Sequence, residues 1–551
     1  MCWQHNSISF KQILNLTDKQ VDKIYKTKNK QKPWETIIIS ENLTWDEFSK
    51  INYYLYDLPG LKPIISVGRN YPFNESYSHV LGYVAYASKE DLTSSEIISD
   101  RHVPGLRVGK NGLEKTFEDK LIGTNTIQRF EVNAYGKRIN QLEIQNGTQG
   151  NSLRITIDTE IQNYTNQLLS GEAGSISVMD IYTGEVIAMN SSPSFNPNDF
   201  LYGIGLKEWD DLNKNPFKPL INKTISGLYS PGSTIKPIVA LSALENDVIK
   251  PTMQVFCSDS IDFYEQKFHC WKKKGHGSIN MRTAIQRSCD VYFYEVARLL
   301  GVDRLSETAK KFGLGKKVLD GFIEERSGVV PSTSWKKKYI GKNWYLGETL
   351  HSGIGQGYFQ STPLQICLMT AQIANGGFEI KPRIIADEKR NNIKDFITYR
   401  NENPNDPLPL DMLIENFKIK PLFRNQENIN FVKDAMYAAT NEVGGTSFGS
   451  RIGDKKFMFA GKTGSSQVKR FTEEQRELEV KQKDLVYKDR DHALFVAYAP
   501  VSKPQYAISV VVEHGGSGSS AAAPIAKKVI KKVLERHEIR EKFEDQIGEQ
   551  A

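Results

Sequence analysis

Three short stretches of this chain set hydroxyls beside charged side chains. The first is SPGSTIKP, residues 230–237. Ser233 and Lys236 stand three residues apart there, after a Pro-Gly turn and ahead of the apolar Ile235, Ile238, Val239, Leu241 and Leu244. That pattern predicts a serine at the head of a buried helix, where the dipole and unpaired backbone N–H groups favour developing negative charge. Residues at i and i+3 share a helix face, so Lys236 is expected to reach the Ser233 hydroxyl. Buried beside another cation, such an amine loses enough basicity to serve as a general base near neutral pH. The second stretch is Ser288-Cys289-Asp290, 55 residues after Ser233, and the third is Lys462-Thr463-Gly464-Ser465, 174 residues after Ser288.

A fourth group is soft rather than nucleophilic. Cys257, Cys270, His276 and Cys289 follow one another with 12, 5 and 12 residues between them, and the last sits inside the second stretch. Three thiolates and an imidazole make a closed tetrahedral set for a structural Zn2+, and His269 is a spare imidazole that could replace His276. Disulfides or idle thiols are the alternative; an odd, clustered count of cysteines fits a metal better than a disulfide framework. Cys367, in the apolar run PLQICLMTA, reads as a core thiol.

Such residues need a scaffold, and 551 residues with 39% hydrophobic content are enough for several folded domains. The net charge of +7 is mild, and the lysines are not gathered into a basic stripe with interleaved aromatics, so nucleic acid is not an expected partner. There is no run of about 18 apolar residues to cross a membrane, and MCWQHNSISF lacks the features of a signal peptide.

From residue 1 to about 150 the periodicity is poor, and the polar QLEIQNGTQGNS reads as a linker. Beyond it, LRITIDTEIQNYTNQLL is a short strand leading to a helix that Asp158 can cap. SISVMDIYTGEVIAMNSS reads as a hairpin, HALFVAYAP and YAISVVVEH as a second strand pair, and FMFAGKTGSS as a fifth strand. Segments such as TAIQRSCDVYFYEVARLL and TPLQICLMTAQIAN between these ends are helical, and PIAKKVIKKVLERH should pack on the sheet. The expected fold is α+β: an antiparallel five-stranded sheet flanked by helices, with a helical subdomain in the middle. A smaller mixed domain over 1–150 precedes a main domain over 151–551.

Ser-x-x-Lys, Ser-Asp-Asn and Lys-Thr-Gly, in that order, are the motif set of β-lactamases and penicillin-binding proteins. With SVMDIYTGEVIAMNSSPSFNPNDF, SGLYSPGSTIKP, SGIGQGYFQSTPLQ and GGTS around them, the chain resembles the class B, monofunctional transpeptidases, most closely their elongation-type branch. The likeness is strong over about 155–535 and weak over 75–150, where it implies a truncated non-catalytic pedestal of the dimerisation type. It implies a peptidoglycan D,D-transpeptidase that cross-links stem peptides during lateral wall synthesis and is inhibited by β-lactams. By the same likeness Ser233 is the nucleophile, Lys236 its base, Ser288 a proton relay and Lys462 an electrostatic anchor. Asp290, Thr463, Gly464 and Ser465 fall in the substrate-binding set, and the backbone N–H groups of Ser233 and Ser465 form the oxyanion hole. Gly464 is expected to lack a side chain so that a substrate strand can pair along this edge.

Asp290 stands where many relatives have Asn, and an acid is better suited to orienting Lys236 than to holding a substrate amide. Some members of the elongation-type branch carry a comparable zinc site, which favours Zn2+ at Cys257, Cys270, His276 and Cys289. The family also implies a glycosyltransferase partner and an inner-membrane protein with its catalytic domain in the periplasm. It usually begins with a membrane anchor; none is seen here, so the expectation is either a start internal to a longer gene or a lost anchor. A β-lactamase or β-lactam sensor shares the motifs, but no deacylating carboxylate motif is evident. A scaffold with a decayed site is the third reading, and the filled reactive positions oppose it.

Overall fold

The β-rich runs at the two ends of the C-terminal region meet in one sheet. In the computed structural model, which describes residues 10–30, 37–65, 68–103, 105–134, 138–263, 266–386, 392–404, 406–469 and 480–548, its strands are β1 (Gly174–Asp180), β2 (Val186–Ser192), β3 (Ala460–Ser466), β4 (His492–Ala499) and β5 (Tyr506–Val512). Their order is β3-β4-β5-β1-β2, each pair antiparallel, so the α+β expectation holds. Cys2 lies outside the described residues.

Alternation along the strands gives the sheet two buried faces. On one, Ile176, Val178, Ile508 and Val510 pack with Ala526, Val529, Ile530 and Val533 of the C-terminal helix Ala523–Glu535. The helix Thr159–Leu168, capped by Asp158 as expected, adds Ile161 to that core. The opposite face meets the wholly buried helix Pro363–Ala374, where Ser509 Oγ donates to the Pro363 carbonyl (2.8 Å) and the Cys367 thiol to that of Ala507 (3.5 Å).

The predicted helix over TAIQRSCDVYFYEVARLL is two helices, α1 (Met281–Gln286) and α2 (Asp290–Leu300). Ser288, at φ 55, breaks them apart. A side chain in the left-handed region is costly, and this one lies at the second motif.

The chain divides into two units. One comprises Met1–Asn74, Leu81–Ser152 and Asn196–Asp210, the other Glu75–Val80, Leu153–Phe195 and Asp211–Ala551. The first holds two small antiparallel pairs, Val84–Tyr86 with Arg107–Gly109 and Ile127–Val132 with Arg138–Gln145. Its buried clusters are small: Ile13, Leu14 and Ile51 in one, Tyr71, Val84 and Leu201 in another. Among the described residues no helix is long and apolar enough to cross a membrane.

Candidate active site

Ser233 lies in a 3-10 turn, Gly232–Ile235, that runs into the buried helix Lys236–Glu245. The turn is pressed between two backbones. A Cβ on Gly232, at φ 53, would stand 2.4 Å from the Ser465 carbonyl oxygen, and one on Gly355 would stand 2.3 Å from that of Gly232. Gly232 N–H donates to the Gly355 carbonyl (2.9 Å), and Gln356 Nε2 donates to that of Ser465 (3.0 Å). Glycines are therefore required here by close approach. Gly464 has a related reason: its Cβ would lie 2.8 Å from Thr234 Cγ2. The turn that carries Ser233, rather than a substrate strand, fills the space above it, which corrects the reason expected for this glycine.

Two lysines converge on one hydroxyl. Lys462 Nζ donates to Ser288 Oγ at 2.8 Å and to the Thr463 carbonyl at 3.1 Å. Lys236 Nζ donates to Asp290 Oδ1 (2.8 Å), the Ser288 carbonyl (2.9 Å) and Ser288 Oγ (3.3 Å). Its three protons are thus engaged, and the expected bond to Ser233 is absent among the described residues. A carboxylate and a carbonyl are stronger acceptors than a hydroxyl. Both lysine side chains are fully buried, whereas Ser233 and Ser465 are half-buried and reachable from outside.

Burial, and then the charge of Lys236, hold the Lys462 ammonium well below the ordinary lysine range. Burial lifts the Asp290 carboxyl above its usual range, against the pull of Lys236. The second oxygen of Asp290 accepts the backbone N–H of Trp271 (2.9 Å). With both oxygens committed, Asp290 orients Lys236 and does not face a ligand, so its assignment to substrate binding is corrected. Thr463 Oγ1 donates to Thr446 Oγ1 (2.8 Å). The Ser465 carbonyl points to the open edge of β3, where it meets Gln356, and a residue's N–H shares the side of its carbonyl. The Ser465 N–H therefore faces the cleft edge rather than β4.

Sequence reasoning missed Trp271. Its indole N–H donates to the Ser288 carbonyl (3.0 Å) and to that of Arg287 (3.2 Å) while its backbone holds Asp290. The one signal available was its place directly after Cys270.

Cys257, Cys270, His276 and Cys289 present ligand atoms that all lie within 4.8 Å of one another. His276 Nδ1 is 3.5 Å from Cys270 Sγ and 3.7 Å from Cys257 Sγ. Bond lengths of about 2.3 Å to sulfur and 2.0 Å to nitrogen in a tetrahedron place S and N about 3.6 Å apart, so the donor set fits zinc. The four cysteines described are free thiols. His269 is not in the cluster; it pairs with Ser260 in a small hairpin.

Comparison with known proteins finds that residues 174–531 match the penicillin binding protein transpeptidase domain and residues 5–155 the penicillin-binding protein dimerisation domain. The peptidoglycan D,D-transpeptidase MrdA of Acinetobacter baumannii is 35% identical over 94% of this chain and 73% of its own length. Its Escherichia coli K12 counterpart is 31% identical over 96% and 80%. Among solved structures, the complex of Helicobacter pylori PBP2 with MreC superposes with a TM-score of 0.75 at 30% identity, covering 94% of this chain and 92% of that one. Pseudomonas aeruginosa PBP2 in complex with WCK 5153 gives a TM-score of 0.68 at 33% identity, covering 85% and 91%.

Proposed function

The chain belongs to the class B penicillin-binding proteins of the PBP2 type and is a serine-type peptidoglycan D,D-transpeptidase, and from that premise we propose how its residues divide the reaction. Ser233 Oγ attacks the carbonyl between the two terminal D-alanines of a stem peptide. The C–N bond breaks, D-alanine leaves with a proton, and an amine of a neighbouring strand then takes the acyl group from Ser233. The observation that carries this reading is the convergence of Lys236 and Lys462 on Ser288 Oγ beside the turn that holds Ser233.

Lys236 accepts the serine proton. Asp290, 2.8 Å away, orients the amine. Ser288 Oγ touches both amines, so it can relay a proton toward the leaving nitrogen without bulk water. Lys462 supplies positive charge to the developing anion, and the N–H groups of Ser233 and Ser465 receive the oxyanion. The Ser465 hydroxyl holds the substrate carboxylate, and Thr463, whose own hydroxyl donates to Thr446, lies beside it on the same strand. Asp290 is the one carboxylate bonded to this constellation among the described residues, and it is not free to activate water. The acyl-enzyme formed with a β-lactam is therefore long-lived.

Labelling with a fluorescent penicillin, followed by peptide mapping, tests this. The added mass is expected on the peptide containing Ser233 and is lost in Ser233→Ala. A label elsewhere, or hydrolysis within seconds, would sink the assignment.

Cys257, Cys270, His276 and Cys289 would hold a structural zinc, and such an ion would tie the second-motif loop to the Val255–Cys257 and Gly277–Ile279 strand pair. The catalytic unit works at the periplasmic face of the inner membrane, where stem peptides are. Likeness to a relative solved in complex with MreC supports a partner of that kind, and the transpeptidase reading implies a glycosyltransferase that supplies the strands.

A further inference from the structure

The segment that carries Gly355 and Gln356 to the nucleophile also carries a surface the reaction described above leaves unused. Helix α3 (Thr333–Ile340) and helix α4 (Leu346–Gly353) flank it, and five aromatic rings gather there. Trp335 contacts Tyr339 (centroids 6.1 Å) and Tyr358 (5.4 Å), and Tyr358 contacts Trp344 (6.4 Å). Beneath them lies Lys336. Its side chain is 2% exposed, it is ion-paired to Glu348, and its Nζ sits 4.7 Å from the Tyr345 ring centroid and 5.8 Å from those of Trp344 and Tyr358.

That buried cation lies against three of the rings, Lys338 Nζ stands 5.1 Å from the centroid of Tyr339, and the rings keep open surface. Tyr339 is 67% exposed, Tyr345 65% and Tyr358 37%. The Trp344 indole N–H is satisfied internally by Thr349 Oγ1 (2.8 Å), so the polar edge of that ring is turned inward. Burial of a charge is costly unless it is well paired, and here the pair holds exposed aromatic surface in a set arrangement. Residues 335–347 also carry four lysines and no acid, and Lys337, Lys338 and Lys342 are exposed.

We propose that this ring-and-lysine surface binds the glycan strand of the acyl donor, with sugar C–H faces on Tyr339, Tyr345 and Tyr358 and the carboxylates of its stem peptides on the lysines. The proposal rests on the transpeptidase reading and extends it from the scissile peptide to the polymer that carries it. Apolar sugar faces and anionic substituents match rigid rings rimmed by cations. The reach also fits. Gly355 bonds to Gly232, the neighbour of Ser233, and Tyr358 is three residues further on, at most about 11 Å of chain. A stem peptide puts roughly four residues, about 14 Å when extended, between the scissile carbonyl and its sugar. A donor acylating Ser233 can therefore lay its sugar on these rings.

The test uses the double variant Tyr339→Ala, Tyr345→Ala, whose side chains are exposed, and three probes: fluorescent penicillin, a soluble pentapeptide ending in D-Ala–D-Ala, and uncross-linked glycan strands bearing pentapeptides. Penicillin and the free peptide are too short to use the surface and report on Ser233 alone. The expected result is a KM for the strands raised roughly tenfold, the loss of about 1.4 kcal/mol of binding, with the two short probes unchanged. An unchanged KM for strands overturns the proposal and leaves the surface to a protein partner. An equal loss with the free pentapeptide also overturns it, because the damage then lies in the cleft. Failure of the unaltered protein to take penicillin at Ser233 would remove the transpeptidase reading itself, an outcome distinct from either.

Discussion

The two walls of the cleft are held by different means. The wall carrying Lys462, Thr463 and Ser465 is an edge strand, paired with β4 residue by residue from Ala460↔Tyr498 to Ser466↔His492. Its geometry is that of any strand. The wall carrying Ser288 and Asp290 is a break between two helices, with Ser288 at φ 55, tied down by Trp271 and by a loop that ends in the cysteine and histidine cluster. Sheet hydrogen bonds support the first wall for any sequence that makes the strand. Particular side chains support the second, so it should be the easier one to break.

The lysines sharpen that contrast, since each belongs to one wall's chemistry. Lys236 has a carboxylate partner across the break, whereas Lys462 has none among the described residues, where it bonds to a hydroxyl and a carbonyl, and burial holds its ammonium below the ordinary lysine range. Lys236→Arg keeps the charge but cannot release a proton. Acylation by penicillin is expected to fall by roughly two to four orders of magnitude, the usual cost of losing a general base. Lys462→Arg retains the charge that matters at its position and should lose less. Stopped-flow acylation rates for the two variants decide it; near-normal acylation in Lys236→Arg would show that another group takes the serine proton.

The next test removes a support of the second wall. Cys289→Ser deletes a ligand and should release the metal, lower the melting temperature by several degrees and slow acylation about tenfold or more. Elemental analysis of protein purified without chelator should give about one zinc per chain before the substitution and none after it. Thiols recovered as a Cys257–Cys270 or Cys270–Cys289 disulfide in the unaltered protein would mean that an oxidised clip, not a metal, supports this wall. Substitution of Ser466 on the opposite wall, by Ala, should leave both melting and metal nearly unchanged.

A finer cut separates the metal from what it positions. Trp271→Phe keeps a ring but deletes the indole N–H that holds the Ser288 carbonyl. One N–H, shared between the Ser288 and Arg287 carbonyls, is at stake, so acylation should slow by roughly fivefold to tenfold with zinc content unchanged and melting lowered by no more than one hydrogen bond's worth. A change in melting without a change in acylation would make Trp271 a packing residue only.

How much of this was legible follows the same division. The five strands stand out in the sequence because alternation and β-branched runs such as YAISVVV are local signals. Apolar spacing continues through Ser288 and predicts one unbroken helix over 283–300, because nothing local announces a left-handed serine. The cluster of Cys257, Cys270, His276 and Cys289 is legible as a spacing of soft donors. The choice of His276 over His269 depends on how a small hairpin folds, which is not a local property. Asp290 was correctly read as a partner of Lys236 from its acidity. Trp271 escaped because its roles use a backbone N–H and a single indole proton, and neither leaves a pattern in residue types.

The smallest expected effect lies on the strand wall, where acid should act through one histidine. His492, at the start of β4 opposite Ser466, accepts the His514 backbone N–H on Nδ1 (3.0 Å). Burial, and then the neighbouring His514, lower its pKa from 6.5 to about 4. The folded protein therefore keeps His492 neutral where the unfolded chain would bind a proton. Its contribution to stability is fully present above pH 6.5 and is lost as pH falls through the window from 6.5 to about 4. Between pH 7 and 5.5 that loss is about 1 kcal/mol, one or two degrees of melting temperature for a unit of this size. Next to it Asp491, raised by burial to about 6, acts with the opposite sign, since its contribution is present below 3.8 and lost as pH rises toward 6. His492→Asn retains an acceptor for the His514 N–H and cannot titrate. Comparing the pH dependence of melting in the two proteins cancels Asp491 and any metal loss, which both share. The variant should lose one or two degrees less than the unaltered protein between pH 7 and 5.5. Identical slopes would mean that acid reaches this enzyme only through the wall held by thiolates.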